Sequence, residues 1–521
     1  MKVTKRVRKG AASLLAVFLL LSLGVASGLA QTETGQITVK AVDEKGAVIA
    51  GAEVSVKSTT TGAERKATTN EEGIATITNL NPGIYDVTVT GGTGFAPFKQ
   101  QANISVGGRI TLDAVMSVTA RGEVVTVVAG EGGVEINTQT QELSDVVSGK
   151  QVTNLPTLTR NPYDLVGISG NVTEEQSNSG RGTNFAINGQ RASSTNILLD
   201  GGENVDLFTA AVGQSVPLDA VQEFRVITSN FSAEYGRASG GIVNVATKAG
   251  SNSFHGSLYE FNRVSALASN GFARNADGLE KSVFTRNQFG YSVGGRVIKD
   301  KLFFFSSTEW TRVRSSGEVI SLVPTPQLLA RTNANTQNYF NAFQLVAPIN
   351  GDVFTVSQVL ANFNLPATGA FGTLPGNLPA FGQVRATRSA DFGAGLPVND
   401  WITVNRLDYN WSDKTQMYLR GVYEQGKNPD GTISFSPYQG FNTGNTTGDQ
   451  NYLFNVTHSL SSNLVSQTKI VFNRLRNGDQ PLGEQPLLPT LYFTDAGVLS
   501  AFGDFFRFPG YLPTTPGNGI P

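Results

Sequence analysis

The 521-residue chain contains no cysteine. This excludes a disulfide framework, a thiol nucleophile and a thiolate metal site, and it leaves no lipidation point after the N-terminal apolar run. Histidine is almost as scarce. Only His255 and His458 occur, at a spacing that fits neither a metal pair nor a catalytic triad. Both read as surface or interfacial residues, and no catalytic residue, metal site or cofactor is expected. An excess of charge of one sign is missing too: the net charge is −1, which argues against the basic patch of a nucleic-acid binder. Glycine-rich phosphate motifs lack the strand-to-helix setting they need. After the first thirty residues no apolar run reaches 18 residues. Helical membrane spans are thereby excluded, but strands that cross a membrane hide from hydropathy by alternating.

What is present favours β-structure. The chain has 58 Gly and 31 Phe against 3 Met, and only 16% of its residues are charged. That mix suits strands joined by many turns. At about 150 residues per domain the length suggests three or four units. Lys2, Lys5, Arg6, Arg8 and Lys9 precede an apolar stretch over 11–23, which ends at Gly28-Leu29-Ala30. This is the pattern of a secretory signal over 1–30, cleaved after Ala30. The stretch is shorter than the about 20 residues that a spanning anchor needs.

Residues 34–118 read as a seven-stranded β-sandwich. Ile37, Val39 and Ala41 alternate on one face of a first strand, further strands follow near 51–56, 73–78 and 83–89, and turn signals recur between them. Asp43-Glu44-Lys45-Gly46, Thr61-Gly62 and Leu80-Asn81-Pro82-Gly83-Ile84-Tyr85 resemble the carboxypeptidase-regulatory-like, or transthyretin-like, domain. That resemblance implies a fold and no peptidase; the module is either a recognition adaptor or a spacer. Next comes a β-prone linker over 121–130. It can pair with a partner's sheet edge through its backbone, or serve as a last sandwich strand.

The most telling stretch is 181–260. Short β-type runs are separated by Asn188-Gly189, Asp200-Gly201 and Gly240-Gly241, pairs that permit the positive φ of tight turns. Asp200, Glu203 and Asp206 could form a carboxylate cluster for a cation, or Asp200 could cap its own turn. From Phe254 onward the pattern changes. Over 287–297, Phe289, Tyr291, Val293 and Val297 share one face while Gln288, Ser292 and Arg296 share the other. This is the apolar-out, polar-in alternation of a strand between lipid and a polar lumen. About seven such strands can be counted, at 254–261, 287–297, 302–313, 402–411, 415–424, 451–460 and 464–474, with short turns alternating with long loops. The stretch from about 315 to 397 reads as one long loop. Tyr259, Trp310, Trp411 and Tyr423 suit an interfacial girdle.

Ala186-Ile187-Asn188-Gly189, then Arg191, Leu198-Leu199-Asp200-Gly201, Tyr235-Gly236 and Gly240-Gly241 through Asn244 to Lys248 resemble the plug motifs of TonB-dependent outer-membrane receptors. The wording is most similar to the Oar-like members that carry a regulatory-like domain in front. Asn188 stands where the wider family has Arg. Leu155-Pro156 and Arg160-Asn161-Pro162-Tyr163 resemble an early plug motif. The resemblance implies a mainly β chain: signal, sandwich, an α+β plug over 135–249, and over 250–521 the first strands of a 22-stranded antiparallel transmembrane barrel. Seven strands cannot close such a barrel, so the chain reads as the N-terminal part of a longer receptor. The resemblance also implies that Glu123, Val124, Val125, Thr126, Val127 and Val128 are a TonB box. The partners would be a TonB-type energy-coupling protein in the periplasm, outer-membrane lipid, and a ligand that is an iron chelate, a glycan or a peptide. Its function would be energy-coupled passage of that ligand across the outer membrane. The rival reading is a surface adhesin, or a periplasmic carbohydrate- or protein-binding module, built from tandem β-domains.

Overall fold

The computed structural model describes residues 34–92, 94–118, 126–127, 141–174, 185–232, 235–276, 281–391, 393–433, 435–461, 464–478 and 508–509. The signal region with Ala30 lies outside them, as do Glu123, Val124, Val125 and Val128.

Seven strands form the sandwich: β1 (Gly35–Asp43), β2 (Glu53–Ser58), β3 (Glu64–Thr68), β4 (Ile74–Leu80), β5 (Gly83–Thr90), β6 (Phe98–Ile104) and β7 (Arg109–Met116). One sheet runs β4-β1-β7 and the other β3-β2-β5-β6. Their inner faces alternate as the sequence does. Ile37, Val39, Val54, Val56, Val87 and Val89 are buried together in one cluster, and the intervening residues face outward. The second sheet gains an edge strand, β8 (Thr126–Val127), parallel to β6 beside Lys99 and Gln100.

The plug is a five-stranded sheet in the order β13-β12-β15-β14-β9, from β9 (Leu143–Ser148), β12 (Thr195–Leu199), β13 (Gly202–Glu203), β14 (Val221–Ser229) and β15 (Gly241–Thr247). A hairpin of β10 (Val172–Glu174) and β11 (Phe185–Ile187) lies beside it. Short helices pack on the sheet. Gly149–Asn154 is opened by a reciprocal cap between Ser148 and Gln151, and the 3-10 turn Pro162–Ile168 is capped by Asn161. Every residue of β15 is buried, because it is central in its sheet and is covered on both faces.

The third unit is a curved antiparallel sheet of seven long strands. They are β16 (His255–Val264), β17 (Val283–Ile298), β18 (Leu302–Pro324), β21 (Val398–Ser412), β22 (Thr415–Asn428), β23 (Asn445–Ser461) and β24 (Leu464–Arg474), each paired to the next. Gln288, Arg406, Arg420, Asn451 and Asn455 point inward and are buried, whereas Leu407, Leu419, Phe454, Ile470 and Phe472 of the same strands are exposed outward. The lining is polar and the outer surface apolar, as lipid outside requires. Two aromatic levels flank the outer band. Trp310 stacks on Phe289 and Trp401 lies 5.0 Å from Tyr423 toward the long loops. Tyr409 and Trp411 lie beside the short turns. Trp401 and Tyr409 are separated by about 27 Å of strand at the usual rise. Trp310, Trp411 and Tyr423 therefore sit at such levels. Tyr259 does not, because its ring faces the lumen and its hydroxyl donates to Glu309.

The stretch read as one long loop is folded. Beyond the barrel wall β18 continues, paired to β20 (Pro379–Ser389), which in turn pairs with β19 (Val353–Thr355). Helices Ala334–Asn341 and Val356–Asn362 pack on them, with apolar clusters around Leu322, Val359 and Phe381 and around Val323, Tyr438 and Phe441. The chain continues to β25 (Asn477–Gly478), which pairs with β23.

The glycine pairs divide into two kinds. Asn188-Gly189 (φ 55° and 68°) and Asp200-Gly201 (φ 52° and 68°) are left-handed turns. Gly240 and Gly241 are not among the positive-φ residues, which corrects the turn reading there. Gly241 is required by close approach. A Cβ on it would stand 2.7 Å from Ile187 Cδ1 and 2.8 Å from the Ile227 carbonyl oxygen. Gly241→Val is expected to destabilise the plug by about 3 kcal/mol through overpacking. Gly236→Ala, where a Cβ meets nothing within 4 Å, should stay within about 0.5 kcal/mol. Denaturant midpoints of the two variants check this, and equal losses would refute the steric account.

Candidate functional site at the plug–barrel interface

The plug lies against the inner face of the strand wall. Phe305, Val404 and Val422 of the wall join the plug's own apolar cluster. Around that contact two charged hubs tie plug to wall.

The first hub is built on Asp200. β12 and β15 run parallel with Leu199 beside Val245, so the residue after Leu199 arrives over Thr247. Its left-handed φ turns the carboxylate inward, a conformation that Asp tolerates better than most residues. Oδ1 accepts the Thr247 backbone N–H at 2.8 Å, and Oδ2 accepts the Thr247 hydroxyl at 2.9 Å and Arg420 Nε at 3.0 Å. Arg406 completes the ion pairing at 3.5 Å. Arg420 also donates to the Leu199 carbonyl at 3.1 Å and to the Asn451 side chain. Arg406 is held by Asp408 at 2.8 Å and lies over the Tyr418 ring. The side chains of Asp200 and Arg420 are 1% and 0% exposed, so these charges have to be compensated within the hub. Asp200 is thus no turn cap. Nor does it share a cation site: Glu203 pairs with Arg237 at 2.6 Å, and Asp206 accepts from Phe208 N–H and the Thr209 hydroxyl.

The second hub reverses the polarity. Arg160 of the plug, at φ 57°, binds Asp219 and reaches Glu309 of the wall at 3.2 Å. Its guanidinium lies over the rings of Tyr259 and Phe261, 4.6 and 4.1 Å from their centroids. Tyr259 and Gln288 donate to the same Glu309 carboxylate. Burial pulls the Arg160 guanidinium down, but Glu309 and Asp219 outweigh it and hold it above its ordinary range.

Of the predicted plug residues, Asp200, Gly201 and Asn244 come together. The Asn244 side chain accepts the Gly201 N–H at 3.2 Å. Lys248 directly follows the same strand; burial pulls its ammonium down, partly offset by Asp219. Asn188, Gly189, Tyr235, Gly236, Gly240 and Gly241 gather at the far end of the sheet. There Asn188 donates to the Thr228 carbonyl and Tyr235 packs with Leu198, Ile227 and Ile242. Arg191 is exposed. The wall partners Arg406, Arg420 and Glu309 escaped sequence reading. Their one signal was a charge at an inward position of an otherwise well-patterned strand. His255 meets Ser251 and Ser253, and His458 meets Thr415.

A plug sheet seated against an apolar-outside, polar-inside strand wall defines a plugged β-barrel of the outer membrane. Comparisons with known proteins place it further. The "Outer membrane beta barrel domain" family matches residues 246–514, the "TonB-dependent Receptor Plug Domain" 137–242 and the "Carboxypeptidase regulatory-like domain" 36–117. The TonB-dependent transporter Oar of Myxococcus xanthus is 26% identical over 368 residues, 63% of this chain and 33% of that protein. The chain therefore spans about a third of the length of this relative. Among solved structures, the siderophore receptor PirA from Pseudomonas aeruginosa is 13% identical, with 64% of this chain and 40% of that one covered at a TM-score of 0.38. The outer membrane transporter YddB from Escherichia coli is 12% identical, with 64% and 39% covered at 0.39. The chain belongs to the TonB-dependent receptors, and its place is the outer membrane. The adhesin reading is not favoured.

Asp200→Ala leaves Arg420 buried without a counter-charge and should destabilise the seated plug by about 3–5 kcal/mol. The added change Arg420→Met should recover part of the loss. Chaotrope titration followed by protease sensitivity of the plug measures both; a single variant as stable as the parent would dismiss the hub.

Proposed function

We propose that this chain supplies the plug, the first wall strands and the short-turn-side module of a transporter that moves a ligand across the outer membrane at the expense of a TonB-type protein. The observation that carries this reading is the Asp200 hub. The plug is joined to the wall by buried charges set around a small shared apolar contact with Phe305, Val404 and Val422, so it sits in the lumen and blocks it. The short turns 299–301 and 413–414 face the periplasm, and the long excursions that follow β18 and β22 face outward, following the usual asymmetry of such barrels. The folded excursion on β18–β20 and the plug loop with exposed Leu207 and Phe208 are where an iron chelate, glycan or peptide would be met.

The coupling segment in this proposal is Glu123 to Val128. Thr126–Val127 is extended and already pairs as an edge strand, so its backbone can be offered to a partner's sheet in the same way. Deleting 123–128 from the receptor should abolish binding of a TonB periplasmic domain in a surface-plasmon assay, and leave the heat-modifiable mobility of the barrel intact. Undiminished binding would remove the coupling assignment.

A further inference from the structure

The sandwich is docked on the short-turn end of the wall, directly beneath the Asp200 hub. Among the described residues, contacts at three places hold it. On the wall, Arg65 of β3 donates to Gln416 Oε1 at 3.0 Å and to the Ser459 hydroxyl at 3.2 Å, beside the turns that join β21 to β22 and β23 to β24. Just before β16, the Asn252 N–H donates to the Thr60 carbonyl at 2.9 Å, and at the turn between β17 and β18 Asp300 abuts Gly62. On the plug, Glu223 accepts the Val106 N–H, and Arg225 donates to the Val106 carbonyl at 3.0 Å. The same module thus grips plug and wall together.

Two features mark this docking as reversible. The apolar cluster of the sandwich contains no plug or wall residue, so separation exposes little apolar surface, and polar interfaces of this kind are where domains move. Arg65 is 8% exposed and makes no ion pair among the described residues; its guanidinium rests on neutral acceptors, Gln416 and Ser459 of the wall and the Thr78 carbonyl of the sandwich. Burial accordingly pulls it below its ordinary range. Between the three units lies a cavity of about 340 Å³, lined among others by Arg65 and Tyr85 of the sandwich, Asp200 and Thr247 of the plug, and Arg406 and Asn455 of the wall. Asn455 Oδ1 is buried with no hydrogen-bond partner. The Asp200 hub thus forms one side of this chamber and the sandwich another.

We infer that the sandwich is a second barrier in series with the plug, a cap latched by Arg65 that must swing away before the chamber opens to the periplasm. The inference rests on the transporter reading for its purpose, and its test needs neither cargo nor coupling protein. The chain has no cysteine, so Asn455→Cys places a single thiol in the chamber. Its reaction with a PEG-maleimide too large for the chamber is followed in the detergent-solubilised receptor. Because hydrogen bonds to a charged group are among the stronger ones, Arg65→Ala should raise the labelling rate about tenfold. Gln416→Ala removes the wall side of the same contact without touching the sandwich core, and should do likewise. Lys40→Ala, an exposed position of the sandwich, serves as the control and should leave the rate alone. Equal rates in parent, Arg65→Ala and Gln416→Ala overturn the cap while leaving the transporter reading to the coupling-segment deletion. A rise with Gln416→Ala alone supports the cap even if Arg65→Ala fails to fold.

Discussion

Two guanidinium groups buried in the lumen lining must find negative charge inside the lumen; Asp200 supplies it for Arg420 and shares Arg406 with Asp408. Much else follows from that need. Arg420 is enclosed by the wall and the plug, and an uncompensated charge in such a place is not tolerated. Asp200 can serve only if its backbone turns left-handed at the end of β12, and only if β12 and β15 keep the register that sets Thr247 beneath it. A one-residue slip of that sheet would move Asp200 away and reverse every face of β12. The hub therefore fixes the register of the plug sheet as well as its seat in the wall.

The two hubs have opposite polarity. At Asp200 the plug gives the anion and the wall the cations; at Arg160 the plug gives the cation and the wall the anion, Glu309. A plug rotated about the barrel axis so that the hubs exchanged places would set Asp200 against Glu309 and Arg160 against the arginines. Like charges in so buried a setting repel strongly, so the pairs select one orientation. They add less to net stability than their number implies, because each ion gave up its hydration to enter. That combination of sharp geometry and modest net attraction suits a plug that must be seated in one way and yet let go.

Much of the fold was legible because its signals are local. Period-two alternation in Phe289, Tyr291 and Val293 against Gln288 and Ser292 gives both strand and facing, and Asn188-Gly189 and Asp200-Gly201 announce left-handed turns. The seven wall strands emerge in order, with ends extended by a few residues for β17 and β21, whereas β18 runs on to Pro324 beyond the wall. What stayed hidden depends on distant partners. Nothing near Arg406 or Arg420 in sequence states that a plug aspartate some two hundred residues earlier will face them. Gly241 reads as a turn glycine, and only the approach of Ile187 shows that the need is for space. Tyr259 reads as an interfacial aromatic, since a phenol that donates to Glu309 inside the lumen has the same local pattern. The 325–397 excursion reads as loop because its helices are of eight residues or fewer, too short to show a helical period.

The sandwich's placement bears on how the plug can yield. β14 carries Glu223 and Arg225, which hold the sandwich, and it is hydrogen-bonded to β15, whose last residue, Thr247, binds the Asp200 carboxylate. A displacement of β14 is therefore felt at the Asp200 hub through one strand pair and at the sandwich through the Val106 backbone. A pull from the linker that joins sandwich to plug acts between these same two units. Pulled along the strands, the load falls on several ladder bonds at once; pulled at the sandwich edge, it falls on a few polar contacts in turn. On the cap inferred above, the few polar contacts of the sandwich with the wall would be the first to be loaded in turn, ahead of the ladder that supports the Asp200 hub.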